Sequence, residues 1–193
     1  MINWSAEPDL ARLHRAHQLL KTDAVTALIE LSSLAEKGSI MAMIYLGNAY
    51  KLGQGTRIDQ SQSERWYRRA ADAGSMPAYY ELGRVYLERK QYEEAKQAFT
   101  VAADRGYIPA VHFLGRMFFY GQGVTRDVRK ASELLERASA GGSIYARRIL
   151  GQILLQSRPG LPEKLRGMWL LSSGAVMLTA VLVTQGLASD RLR

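Results

Sequence analysis

Four Leu-Gly pairs recur along the chain, Leu46-Gly47, Leu82-Gly83, Leu114-Gly115 and Leu150-Gly151, spaced by 36, 32 and 36 residues. Four residues before each leucine stands an alanine (Ala42, Ala78, Ala110, Ala146), and four before that a glycine (Gly38, Gly74, Gly106, Gly142). Three markers that hold one offset through four copies restrict the chain to repeat architectures. In these, one supersecondary unit cannot bury its own apolar face and its neighbours must cover it.

Each unit reads as two helices. The first runs from just after the glycine, through the Leu-Gly pair, to an aromatic residue (Tyr50, Tyr86, Phe118). Ser39, Ser75 and Ser143 directly follow the glycine, and a hydroxyl there can accept from an unpaired N–H of the first helical turn. The second helix ends in a small-residue run closed by Gly74, Gly106 or Gly142, as a left-handed C-terminal cap requires. The 32-residue spacing arises in the loop between the two helices. Gly53-Gln54-Gly55 and Gly121-Gln122-Gly123 occupy it in two units, and the tight Glu88-Arg89-Lys90-Gln91 replaces them in the other. Shortening a loop leaves both packing faces unchanged.

Several coordinated positions carry a family resemblance. Tyr50-Lys51-Leu52-Gly53-Gln54-Gly55, Asp59 and Trp66-Tyr67-Arg68-Arg69-Ala70-Ala71 before Gly74 resemble the Sel1-like repeat. Phe119-Tyr120-Gly121-Gln122-Gly123-Val124, Asp127 and Lys130-Ala131 resemble it too. The short-loop unit, with Leu82-Gly83, Tyr86, Ala95, Phe99 and Ala102, is more similar to a tetratricopeptide repeat. The resemblance covers about residues 39–156. It implies an all-α, right-handed solenoid of helical hairpins whose first helices line a concave, protein-binding surface. Residues 1–38 are expected to form a degenerate preceding pair, with Leu28, Leu31, Leu34 and Ala35 facing the first full unit, and residues 39–166 the solenoid itself.

The charge distribution draws attention to the other end. The 193 residues include 26 basic and 18 acidic ones, a net +8, and residues 143–166 alone carry five basic and one acidic. Directly after them, Gly167 to Ser189 is uncharged over 23 residues. As a helix this run would span about 33 Å, close to the hydrocarbon thickness of a bilayer. Its large apolar residues occur on every side, whereas a terminal cap of a soluble solenoid needs a polar outer face. The expectation is therefore a C-terminal apolar helix that crosses a membrane as a tail anchor. Arg147, Arg148, Arg158, Lys164 and Arg166 would hold the amino-terminal side in the cytoplasm. The first nine residues have neither a basic start nor an apolar run, so a secretory signal is not expected there. The alternative is a soluble, cytoplasmic adaptor in which residues 167–189 cap the solenoid or join subunits. Leu134, Leu135 and Ala138 match Leu170, Leu171 and Gly174 at an offset of 36, which favours that alternative.

Chemistry-bearing clusters are sparse. With no cysteine, thiol catalysis, zinc ribbons and disulfides are excluded. His14 and His17 share a helix face but have no third ligand nearby, so no metal is expected. The Gly-Gln-Gly turns lack the Lys-Ser/Thr of a phosphate loop, and Asp59 and Asp127 after them suit helix caps. No Ser/His/Asp constellation can be assembled, so neither an enzyme nor a cofactor is expected. Arg65, Arg68 and Arg69 beside Trp66 and Tyr67 could suggest RNA, but a solvated second-helix face accounts for them. A specific nucleic-acid partner is accordingly not expected.

A sharper candidate is the ladder formed by the residue after each Leu-Gly: Asn48, Arg84, Arg116 and Gln152. Tyr80, His112, Phe119 and Arg148 would surround it. Donors, guanidinium groups and aromatic surfaces together suit an acidic or carboxyl-terminal peptide of a partner protein. The plainer alternative is a row of solvated helix positions.

Overall fold

The structure, a computed structural model, describes residues 7–156 and 166–170. Among these residues the elements are α1 (Leu10–Leu19), α2 (Ala24–Glu36), α3 (Ile40–Leu52), α4 (Gln60–Asp72), α5 (Met76–Glu88), α6 (Tyr92–Asp104), α7 (Ile108–Tyr120), α8 (Val128–Ala140) and α9 (Ile144–Gln156). Residues 166–170 are helical as well, and no strand occurs among the described residues. The fold is an all-helical repeat of hairpins, the class expected for a solenoid. It divides into two compact units, Met1–Tyr107 and Ile108–Arg193.

Local chemistry sets the helix ends. Ser39 accepts from the N–H of Ala42, Ser75 from Ala78 and Ser143 from Ala146, as the serine positions imply. Asp59 accepts from Ser61 and Gln62, and Asp127 from Lys130, so both aspartates are caps. Gly74 and Gly142 close their helices at φ +87° and +91°, where a side chain would be strained. The short link between α5 and α6 has no glycine to offer, and Lys90 takes the left-handed conformation there at φ +59°.

In the first unit, α1 pairs with α2, α3 with α4 and α5 with α6, while α2 rests on α3 and α4 on α5. Leu13, Leu31, Leu34, Leu46, Tyr67, Leu82 and Val85 form the shared core, so the amino-terminal pair belongs to the same packed body as the repeats after it. Leu31, Leu34 and Ala35 are buried and Leu28 packs against them, as the sequence pattern implies. In the second unit, α7 packs on α8 and α8 on α9, burying Val111, Leu114, Met117, Leu135, Leu150 and Ile153.

The glycine of the Leu-Gly pair serves a different purpose from the capping one. A Cβ on Gly47 would lie 2.5 Å from the Tyr67 ring, and one on Gly83 would lie 2.5 Å from the Phe99 ring. Each ring sits directly on the bare backbone of the opposite helix. In the second unit the contact is looser, with Leu135 Cγ 3.0 Å from the corresponding point on Gly115.

Of the expected apolar helix, only residues 167–170 fall within the described residues, and 171–189 lie outside them. No helix among the described residues is long and apolar enough to cross a membrane. The first turn of the uncharged run is seated on α9. A Cβ on Gly167 would lie 3.1 Å from Leu155 Cγ and 3.2 Å from the Gly151 carbonyl oxygen, and Leu170 is buried.

Candidate functional site

In the first unit, the ladder positions of α3 and α5 sit in a polar network. The Tyr67 hydroxyl donates to Asn48 Oδ1 at 2.7 Å, so Asn48 is tied to α4. Burial, and after it the charge of Glu81, holds the Tyr67 phenol well above its ordinary pKa, and the hydroxyl stays protonated as a donor. Arg84 pairs with Glu81 at 3.2 Å and lies 5.8 Å from the Tyr80 ring centre. Tyr80 leans against Phe99 and Tyr107 at centroid distances of 6.1 and 5.6 Å. Lys51 reaches both Glu81 at 3.5 Å and Glu88 at 3.6 Å. The Lys51 and Glu81 side chains are only 14% and 17% exposed, so the pair is screened less than a surface ion pair. The structure thus brings Tyr80 and Arg84 together, with Asn48 held through Tyr67. The acids Glu81 and Glu88, which the repeat pattern does not single out, neutralise their surroundings. The three-residue spacing of Glu81 and Arg84 on one helix was the available signal.

In the second unit, α7 and α9 carry the remaining candidates. His112 is 7% exposed, and its Nε2 has no hydrogen-bond partner. It stands edge-on to Phe113 at 5.2 Å and tilted on Tyr145 at 6.0 Å. Burial, reinforced by the Arg116 charge, lowers its pKa to about 4, so it is neutral at physiological pH. Arg116 places its guanidinium 4.4 Å from the Phe113 ring centre. Phe119 is buried, and with Gln152 it lines an open cavity of about 360 Å³ whose other walls are Tyr120, Arg126 and Gln156. Arg148 is exposed to solvent. Arg126 and Gln156 have no counterpart in the repeat markers, and only the three-dimensional arrangement reveals them.

The remaining candidates resolve into structural roles. His17 stacks on Tyr45 at 4.3 Å, nearly parallel, and no group of three metal-ligating side chains occurs among the described residues. Arg68 pairs with Glu64 at 2.7 Å and Arg69 with Glu36 at 2.8 Å, while Arg69 also covers the Trp66 ring. These two arginines of α4 are engaged by acids on the protein itself.

Comparison with known proteins agrees with this architecture. The Sel1 repeat family matches residues 40–75 and 108–143, the two units that carry the Gly-Gln-Gly turn. A protective antigen present in uropathogenic Escherichia coli strains, displaying an SLR fold, superposes with a TM-score of 0.76 at 23% identity over 86% of this chain. The chain spans 38% of the length of that protein. A Sel1 repeat protein from Oxalobacter formigenes gives a TM-score of 0.74 at 23% identity, over 88% of this chain and 76% of that one.

Proposed function

We propose that this chain, a Sel1-like repeat protein, is a non-enzymatic scaffold that binds another protein through side chains following its Leu-Gly pairs. The observation that carries the reading is the treatment of two equivalent arginines. Arg84 is held at 5.8 Å from the Tyr80 ring and Arg116 at 4.4 Å from the Phe113 ring, each on the first helix of its repeat. An arginine fixed on an aromatic face loses little further freedom when it receives a carboxylate or a peptide carbonyl, and so binds at a reduced entropic cost. Apolar packing sets the backbone, and these polar positions select the partner. The expected partner is a peptide or loop rich in acceptors, acidic or carboxyl-terminal.

The test is recovery of partners by proximity labelling in cells. The variant carrying Arg84→Glu and Arg116→Glu is expected to recover at least about tenfold less partner than the wild type, the effect of losing about 1.4 kcal/mol of binding. Its circular dichroism and melting temperature should stay close to wild type. Unchanged recovery would remove the ladder from the interface.

The uncharged run 167–189 adds a second element, a tether that keeps the scaffold on the cytoplasmic face of a membrane. The length of the run and the basic residues before it support the tether. The seating of Gly167 on α9 and the burial of Leu170 support the alternative, in which the run closes the repeat or joins two copies. Alkaline carbonate washing separates the two. The tether predicts that the full chain stays with membranes while a chain ending at Arg166 is released. Release of both, with the full chain purifying as a defined oligomer, would establish the soluble alternative.

A further inference from the structure

The first pair of repeats maps onto the second pair at an offset of 68 residues, taking Leu46 to Leu114 and Leu82 to Leu150. The same offset takes Lys51 to Phe119, Ile58 to Arg126, Glu81 to Ile149, Arg84 to Gln152 and Glu88 to Gln156. One backbone arrangement therefore appears twice with different electrostatics. In the first unit the cation is internal. Lys51 lies between Glu81 at 3.5 Å and Glu88 at 3.6 Å, and both acids come from the following first helix. In the second unit neither acid is present, because buried Ile149 replaces one and Gln156 the other. The cation has moved to the loop, as Arg126.

Arg126 is held in place without being neutralised. Its Nε donates to the Phe119 carbonyl oxygen at 3.0 Å, and its guanidinium carbon stands 5.8 Å from the Phe119 ring centre. Among the described residues no carboxylate pairs with it, and none lines the cavity it borders. The remaining walls are Tyr120, which is 57% exposed, and the amides of Gln152 and Gln156. Those two glutamines are one helical turn apart on α9, a separation of about 6 Å. The two-residue repeat of an extended peptide is about 6.7 Å, so successive inward groups of one strand can meet both amides.

We propose that the cavity between α7, the following turn and α9 is a subsite for an acidic side chain of an extended partner segment. Arg126 receives the carboxylate, and Gln152 and Gln156 hold the backbone on either side of it. The site rests on the scaffold reading above and names its partner's chemistry. In the first unit Lys51, at the position of Phe119, is neutralised by the protein's own Glu81 and Glu88, whereas Arg126 in the second unit has no carboxylate partner among the described residues and is left to receive one from a partner.

The probes are three pentapeptides, each N-acetylated with two alanines on either side of a central residue. The first has a central glutamate and an amidated C-terminus, the second a central glutamine and an amidated C-terminus, and the third a central glutamine and a free C-terminal carboxylate. Each is titrated into the full chain while side-chain NMR signals of Arg126 Nε, Gln152 and Gln156 are followed. The glutamate peptide is expected to move all three signals and to bind about tenfold more tightly than either glutamine peptide. Arg126→Gln should abolish the difference, and Arg129→Gln, on an outward residue of α8, should preserve it. Equal binding of the glutamate and amidated glutamine peptides would overturn the proposal. So would preference for the free C-terminus, or shifts that bypass these three residues. The subsite and the scaffold can fail separately. Partner recovery that survives Arg126→Gln but is lost with Arg84→Glu and Arg116→Glu overturns the subsite alone. A chain that discriminates among the peptides yet recovers no partner overturns the scaffold alone.

Discussion

Replacing Gly83 by alanine is expected to destabilise the protein by about 2 kcal/mol, although alanine is the better helix former. At an exposed helical site the change would add about 1 kcal/mol of stability. Here the new Cβ would lie 2.5 Å from Phe99 Cε1 and 2.7 Å from Cδ1, and the ring is fully buried, so it has no free space to move into. Either the ring leaves its rotamer or α5 and α6 separate, and both outcomes disturb the surrounding core. Gly47→Ala should behave alike against Tyr67, whose hydroxyl is further fixed on Asn48. Gly115→Ala is the internal control. Its nearest neighbour is Leu135 Cγ at 3.0 Å, an aliphatic group that can give by a few tenths of an ångström, so helix propensity nearly cancels the strain. Urea midpoints of the three variants measure the order directly. A Gly83→Ala variant as stable as wild type would show that the ring is not confined. Adding Phe99→Leu should restore part of the loss, giving a coupling of about 1 kcal/mol between the two sites.

The second large effect is acid lability of the unit containing His112. Its pKa in the folded protein is about 4, against an ordinary value of 6.5. The unfolded chain therefore binds the proton more tightly than the folded one. The stability this residue confers is complete above about pH 6.5 and declines as the pH falls through the window down to about 4. A depression of this size corresponds to roughly 3 kcal/mol across the window. The cost arises because an imidazolium would sit among Phe113 and Tyr145 with Arg116 adding like charge, and no acceptor waits at Nε2. A His112→Phe variant should lose this slope while keeping its stability at pH 7 within about 1 kcal/mol. The comparison to make is the difference in urea midpoint between variant and wild type at pH 7 and pH 4.5. Parallel declines in the two proteins would assign the acid sensitivity to other groups.

These two effects also mark where the sequence is informative. The hairpins, the serine and aspartate caps and the short loop at Lys90 follow from spacing alone, because they depend on backbone hydrogen bonding and on residues adjacent in the chain. Offset markers identify which positions recur, among them Asn48, Arg84, Arg116 and Gln152. They do not reveal what stands across from each position. Whether Lys51 meets Glu81, or whether Gln152 shares a cavity with Arg126, depends on residues brought in from another helix or the turn. His112 is the sharpest case. The pattern places it beside the ladder as a donor, and its burial among aromatic rings instead makes it a neutral core residue with an unsatisfied nitrogen. A single polar residue in an aromatic environment leaves no periodic trace. The tail is a different matter, since composition alone could not decide between lipid and protein as the neighbour of residues 167–189.

The two kinds of glycine in each repeat should drift differently over time. Gly74 and Gly142 answer to a torsion angle, so asparagine, which tolerates left-handed backbone, is an acceptable replacement whatever surrounds it. Gly47 and Gly83 answer to volume, and no torsional preference can excuse a larger residue there while an aromatic ring lies opposite. Their substitution should therefore be correlated with shrinkage of the partner at the Tyr67 or Phe99 position. Leu135 opposite Gly115 is such a smaller partner within this one chain, so the third repeat is where a larger residue can first take root.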